Sequence, residues 1–270
     1  MSITTDQSGR RSVQVSVQVP GSPQDVVWEA IATGPGISGW FLPSEIQLGF
    51  DGEPVRMIVH LGPHTARIAD IRTWDPPHRF VAVSDDSMPG APPLLTEWSV
   101  EPMEQGCRVR VIHSLETSLP DWDSQLETAQ DGWHGFFQIL TTYLGHFSGK
   151  RCQACSLLIT TREPEDKAWE TLAEPLGLSG VAVGERCKSE ADGPVLAGVL
   201  ERGGDDHRPY QALIRLDAPA PGIAHLQIAR MHGCNVPTVR LYFYGEQAAA
   251  IVSREEPRWQ AWLSELFVTV

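Results

Sequence analysis

Residues 126–147, LETAQDGWHGFFQILTTYLGHF, place apolar side chains at Leu126, Trp133, Phe136, Phe137, Leu140, Tyr143, Leu144 and Phe147, in steps of three, four and seven. That spacing predicts one long helix with a single apolar face. A face of that length must be covered, and no second helix of comparable length precedes it. Short alternating segments precede it instead. The economical arrangement is a long helix lying across a curved antiparallel sheet, an α+β architecture.

The alternation begins at residues 12–19, SVQVSVQV, where Val13, Val15, Val17 and Val19 face one way and the polar residues the other. This is the pattern of a half-buried strand. Ser22 and Pro23 then open a short helix, with Ser22 as N-cap, Pro23 at the first position and Val27, Ala30 and Ile31 on the apolar side. Thr33-Gly34-Pro35-Gly36 stops it. Strands are expected at 45–50, 54–61, 64–74, 78–84, 94–101 and 106–116, divided by turns such as Asp51-Gly52 and Asp75-Pro76-Pro77. Ser124 with Glu127 reads as a capping box at the start of the long helix.

The order is strand, short helix, about six strands, long helix. Trp40-Phe41 follows the short helix, IADIRTWDPPHRFV lies at 68–81, LTEWSVEP at 95–102, CRVRVIHS at 107–114 and GWHGFFQILTTYL at 132–144. In these features residues 12–148 resemble the START-like (SRPBCC) superfamily, and within it the branch named after the activator of heat-shock protein 90 ATPase. Members of that branch carry a Trp-rich segment after the first helix, a strand-turn-Pro-strand signature, a strand ending in Glu-Pro and a Gly-Trp in the final helix. The resemblance implies a helix-grip (START/Bet v-like) fold with an apolar cavity for a small molecule between helix and sheet.

An offset of 141 residues lays SPQDVVWEAIATGPGISGW (22–40) over EPEDKAWETLAEPLGLSGV (163–181) with eight identities in nineteen positions. They are Pro23/Pro164, Asp25/Asp166, Trp28/Trp169, Glu29/Glu170, Ala32/Ala173, Gly36/Gly177, Ser38/Ser179 and Gly39/Gly180. This repeat favours a tandem duplication, with domains at 12–149 and 153–270. In the second copy strands are expected at 155–161, 182–188, 194–201, 210–217, 223–231, 237–244 and 248–254. A terminal helix from about Pro257 then carries Trp259, Trp262, Leu263, Leu266 and Phe267. Being shorter, this copy offers less wall for a cavity and is expected to serve as a built-in dimer partner.

Strand parity selects what lines the first cavity. Leu94, Thr96, Trp98 and Val100 share one face, as do Cys107, Val109, Val111, His113 and Leu115; from the helix, Trp133, Phe137, Leu140 and Tyr143 point together. The candidate ligand-binding set is Trp98, Thr96, His113, Trp133, Phe137, Leu140 and Tyr143. Two readings of His113 stand at this level. An imidazole in an apolar row orients a polar ligand group or moves a proton, or it is a core histidine satisfied by a neighbour or a water. Core packing is likewise the alternative for each aromatic residue. Cys152-x-x-Cys155 with His146 lacks the second ligand pair that a zinc site needs, and it enters a strand rather than opening a helix, so no metal and no cofactor are expected. His60 and His64, flanking a Gly-Pro turn, read as loop residues, and Asp85-Asp86 and Asp205-Asp206 as solvated turns.

The chain has 34 acidic and 21 basic residues, net −13, which argues against nucleic acid or an anionic membrane as partner. No apolar run approaches a membrane span, and five scattered cysteines in a chain this large read as reduced thiols, so a cytoplasmic protein is expected. No P-loop, GxGxxG, GxSxG or HExxH pattern is present. The function expected first is therefore binding of a small hydrophobic or amphipathic ligand. A co-chaperone-like interaction protein and an aromatase/cyclase-type enzyme using His113 are the alternatives, and a protein partner or homodimer is compatible with each.

Overall fold

The computed structural model describes residues 3–5, 10–62, 64–84, 92–115, 117, 123–190, 193–231 and 233–267. Two compact units divide the chain, Met1–Gly149 and Lys150–Val270.

In the first unit β1 (Thr4–Thr5) and β2 (Arg11–Val19) are followed by α1 (Gln24–Ala32) and α2 (Gly34–Ser38). An antiparallel meander comes next: β3 (Ser44–Leu48), β4 (Pro54–Gly62), β5 (Thr65–Asp75), β6 (Arg79–Ser84), β7 (Leu94–Met103) and β8 (Gly106–Leu115). The long α3 (Asp123–His146) closes the unit. The sheet order is β1-β2-β8-β7-β6-β5-β4-β3, so the first full strand pairs with the last. Parity places the core: Val13, Val15 and Val19 of β2 are buried while Gln14, Ser16 and Gln18 are exposed. Register carries that inner face across the sheet, since Val13 pairs with His113, His113 with Thr96, and Val15 with Val111, itself opposite Trp98. The helix α3 lies over β2 and β8, with Leu126 packed on Val13 and Leu115.

Three local expectations for this unit are corrected. Pro23 is the N-cap of α1, not its first helical residue, and no side chain caps that end. Thr33 does end α1, but it also caps α2, its hydroxyl accepting from the Gly36 N–H at 3.0 Å, so the Gly-Pro segment is a second helical turn. The α3 helix begins at Asp123, which puts Ser124 inside the helix instead of at its cap.

The second unit repeats this topology with one strand fewer in the meander. After β9 (Cys152–Leu158) and α4 (Glu165–Ala173) come β10 (Arg186–Lys188), β11 (Ala197–Arg202), β12 (Gln211–Ala218), β13 (Gly222–Met231), β14 (Cys234–Tyr244) and finally α5 (Ala248–Leu266). The order β10-β11-β12-β13-β14-β9 again joins first strand to last. Both units therefore have the helix-grip fold. The helices α1 and α4 start and stop at positions separated by the same 141 residues as the repeat. Leu157, Leu226, Val239, Leu241 and Phe243 from the sheet meet Ile251, Trp259, Leu263 and Phe267 from the α5 end in one buried core.

Here too the structure corrects the sequence reading. Residues 248–254 are the first turns of α5, and Pro257 lies within that helix. Residues 182–185 precede β10, and β9 starts at Cys152.

Candidate functional site

The His113–Thr96 pair is built by register. The two residues face each other across β7 and β8, and His113 Nδ1 lies 3.0 Å from Thr96 Oγ1. Trp133 reaches the other nitrogen from α3, its indole N–H donating to His113 Nε2. An indole N–H can only donate, so Nε2 is the acceptor and Nδ1 carries the proton, donating to Thr96. The imidazole is thus neutral and bonded at both nitrogens, stacked 5.7 Å from the Trp133 ring.

Aromatic rings continue from there. Trp98 of β7 meets Trp133 edge-on at 4.9 Å and stacks with Phe80 of β6 at 6.0 Å. Trp40, after α2, touches Trp98, Trp133 and Phe137 at 6.0, 6.3 and 6.4 Å. Phe41 stacks on Trp133 at 5.0 Å and meets Phe136 edge-on at 4.4 Å. Such offset and edge-to-face pairs each add about 0.5–1.5 kcal/mol beyond burial. Trp40, Phe80, Trp98 and Phe137 are buried, whereas Phe41 and Phe136 are half-buried, so the cluster reaches the surface between α2 and α3.

Of the seven residues expected to line a cavity, five come together: Trp98, Thr96, His113, Trp133 and Phe137. Tyr143 is buried with its ring against Gly39, the residue before Trp40, where a Cβ would fall 2.8 Å from the ring. Leu140 is fully buried on the helix between Phe137 and Tyr143. Sequence reasoning missed Trp40, Phe41 and Phe80 as members of this cluster. The Trp40-Phe41 dipeptide was the available signal, since two adjacent large rings after a helix stop are seldom both surface residues.

Burial, reinforced by the Arg67 guanidinium, pushes the His113 pKa from 6.5 down to about 4. The unfolded chain then binds the extra proton first. Its contribution to stability is complete above pH 6.5 and is lost as the pH falls toward 4, by about 3 kcal/mol in full. Urea unfolding of the wild type and His113→Gln between pH 7 and 4 checks this: the variant should lose that part of the pH slope, and an unchanged slope would contradict it.

Other candidates fall apart geometrically. Three residues apart on β9, Cys152 and Cys155 point to opposite faces of the strand, so their side chains do not converge on one ion; burial pushes both thiols up to about 12. His60 is a strand residue, not a loop residue, with Nε2 3.0 Å from Glu45 Oε1; His64 does lie in the turn. Asp205 forms a turn, accepting from the N–H groups of His207 and Arg208 at 2.9 and 2.7 Å, and Asp85-Asp86 lies outside the described residues. No group of three or more His, Cys, Asp or Glu with metal-binding placement occurs among the described residues, nor is any helix among them long and apolar enough to cross a membrane.

Residues 22–145 match the family described as Activator of Hsp90 ATPase homolog 1-like protein. Among solved structures, protein MLL2253 from Mesorhizobium loti is 18% identical with a TM-score of 0.43, over 51% of this chain and 99% of its own. The Aha1 dimer from Colwellia psychrerythraea is 15% identical with a TM-score of 0.39, over 51% and 98%. The di-domain ARO/CYC BexL from the BE-7585A biosynthetic pathway is 13% identical with a TM-score of 0.45, over 96% and 99%. No curated protein matches the chain.

Proposed function

Because residues 22–145 match the activator of Hsp90 ATPase homolog 1-like family, we propose that the protein binds one small hydrophobic or amphipathic molecule between α3 and the sheet of the first unit, without chemistry of its own. The fold supports a ligand-binding cavity at that place. The observation carrying the proposal is the run of rings from Trp40 and Phe41 through Trp98 to Trp133, Phe136 and Phe137, which ends half-buried at Phe41 and Phe136. Apolar walls with very few polar groups are what a small-molecule pocket needs. An aromatase/cyclase-type reaction would ask His113 to exchange a proton with the ligand, yet both its nitrogens are already engaged by Thr96 and Trp133. The second unit serves as a shorter, filled copy. Five free cysteines support a cytoplasmic setting.

Native mass spectrometry of freshly purified protein, compared with the denatured mass, tests this reading together with titration by the neutral fluorophore N-phenyl-1-naphthylamine. An added mass that leaves on denaturation, or saturable probe binding, is expected, and the same spectrum reports a homodimer. Phe136→Ala, at the half-buried end, should weaken the probe by about 10-fold for the loss of one ring contact surface while leaving the melting temperature within a few degrees. A clean mass with no saturable probe binding would remove the proposal and turn attention to protein partners.

A further inference from the structure

Arg67 stands apart from the other arginines of its sheet. Arg56 and Arg72 share Asp70 at 3.2 and 3.5 Å, Arg79 pairs with Glu97 at 2.8 Å, and Arg108 and Arg110 both reach Glu101. Arg67 has neither a hydrogen bond nor an ion pair among the described residues. It is exposed, yet it does not belong to the outer face. On β5 it pairs with Val59, so it shares the face of Met57, Val59, Ala69 and Ile71. Ile71 pairs with Ala82, Ala82 with Thr96 and Thr96 with His113, so this face is continuous with the one bearing the His113–Thr96 pair. The guanidinium is close enough to oppose protonation of the imidazole.

A hollow of about 330 Å³ lies along the other face of the strand, at the last rung of the β5–β6 ladder where Asp70 faces Val83, and is separate from the ring-bearing face. Arg56, Asp70, Ile68 and Val83 line it from that other face, with Arg72 and Arg67 at its border. Arg67 is thus the arginine of β5 that lies on the ring-bearing face, while its neighbours Arg56 and Arg72 pair with Asp70.

We infer that Arg67 is the anion-recognising residue of the ligand site, and that the ligand is an amphipathic acid with an apolar body and a carboxylate, sulfonate or phosphate head. This rests on the ligand-binding reading above and narrows it. The apolar body lies along the rings, the head pairs with the free guanidinium, and His113 stays neutral and does not compete for the anion. A guanidinium forms charge-assisted, paired bonds with such heads that an ammonium or a neutral amide cannot match.

A matched pair of probes tests it on the full chain: N-phenyl-1-naphthylamine and its 8-sulfonate share one aromatic body and differ by one anionic group. Arg67→Gln is expected to weaken the sulfonate by about 10-fold or more and the neutral probe by less than about twofold. Arg79→Gln, which removes the same charge from the outer face, should change neither. Equal weakening of both probes by Arg67→Gln, no weakening, or the same sulfonate loss in Arg79→Gln would overturn the role of Arg67 and leave ligand binding intact. Failure of the wild type to bind either probe would overturn the ligand reading itself.

Discussion

Trp40→Ala should destabilise the first unit by about 3–5 kcal/mol, the range for removing a fully buried Trp side chain. Trp40 has no exposed surface and is in ring contact with Phe41, Trp98, Trp133 and Phe137. Its indole N–H also donates at 2.9 Å to the carbonyl of Ala30, in the last turn of α1, where the helix supplies no donor of its own. The Ala variant therefore opens a cavity among four rings and strands a buried carbonyl. Trp40→Phe keeps one aromatic ring but loses the donor and part of the indole volume, so it should cost about 1–3 kcal/mol. Hydrogen exchange followed by mass spectrometry reads the effect locally: protection of the β7 and β8 peptides should fall by about two to three orders of magnitude in Trp40→Ala. A loss below tenfold would mean that the rings are not one cohesive core, and the Trp98 and Phe137 contacts would lose their standing with it.

Most of the sheet was legible because its signal is local. Period-two alternation in β2, β7 and β8 sorted inner from outer residues, and the same parity placed Thr96 beside His113. The partner on the other nitrogen was not legible. Trp133 comes from a helix, and the approach of its indole to one imidazole nitrogen depends on how α3 is rotated over the sheet, which no local pattern encodes. Arg67 escaped for a related reason: its strand reads as a mixture of polar and apolar residues, and its face becomes known only when Val59 is placed opposite. The start of α5 shows a local rule losing to packing. Ile251, Val252 and the interior Pro257 argue against a helix there, yet Ala248, Ile251, Val252, Glu255, Trp259 and Leu263 are buried at helical spacing against the sheet of the second unit. Burial of that stripe outweighs the hydrogen bond that Pro257 cannot donate.

The repeat makes its sharpest physical claim at Gly36 and Gly177, which correspond at the 141-residue offset and are both required, for different reasons. A Cβ on Gly36 would overlap the carbonyl oxygen of Glu29 and the Cα of Ala30, because α2 folds back onto the end of α1. On Gly177 it would overlap the carbonyl of Lys188 in β10, and there the backbone sits at φ +65, a conformation that L residues avoid. The obstructing atoms are backbone and cannot swing aside. Overpacking of this kind costs about 1–3 kcal/mol or more, and a non-glycine residue in the left-handed region adds about 1–2 kcal/mol. Gly36→Ala is thus expected to cost about 3 kcal/mol, felt in exchange of the α1–α2 peptide, and Gly177→Ala about 3–5 kcal/mol, felt around α4 and β10. The other aligned pair sets the contrast. Gly39 closes against the Tyr143 ring, whereas Gly180 has open space and only its φ of +74 to defend, so Gly180→Ala should stay near 1–2 kcal/mol. Equal, small losses at all four positions would mean that the aligned glycines reflect shared ancestry alone, and that each unit closes its first helix against the sheet by other contacts.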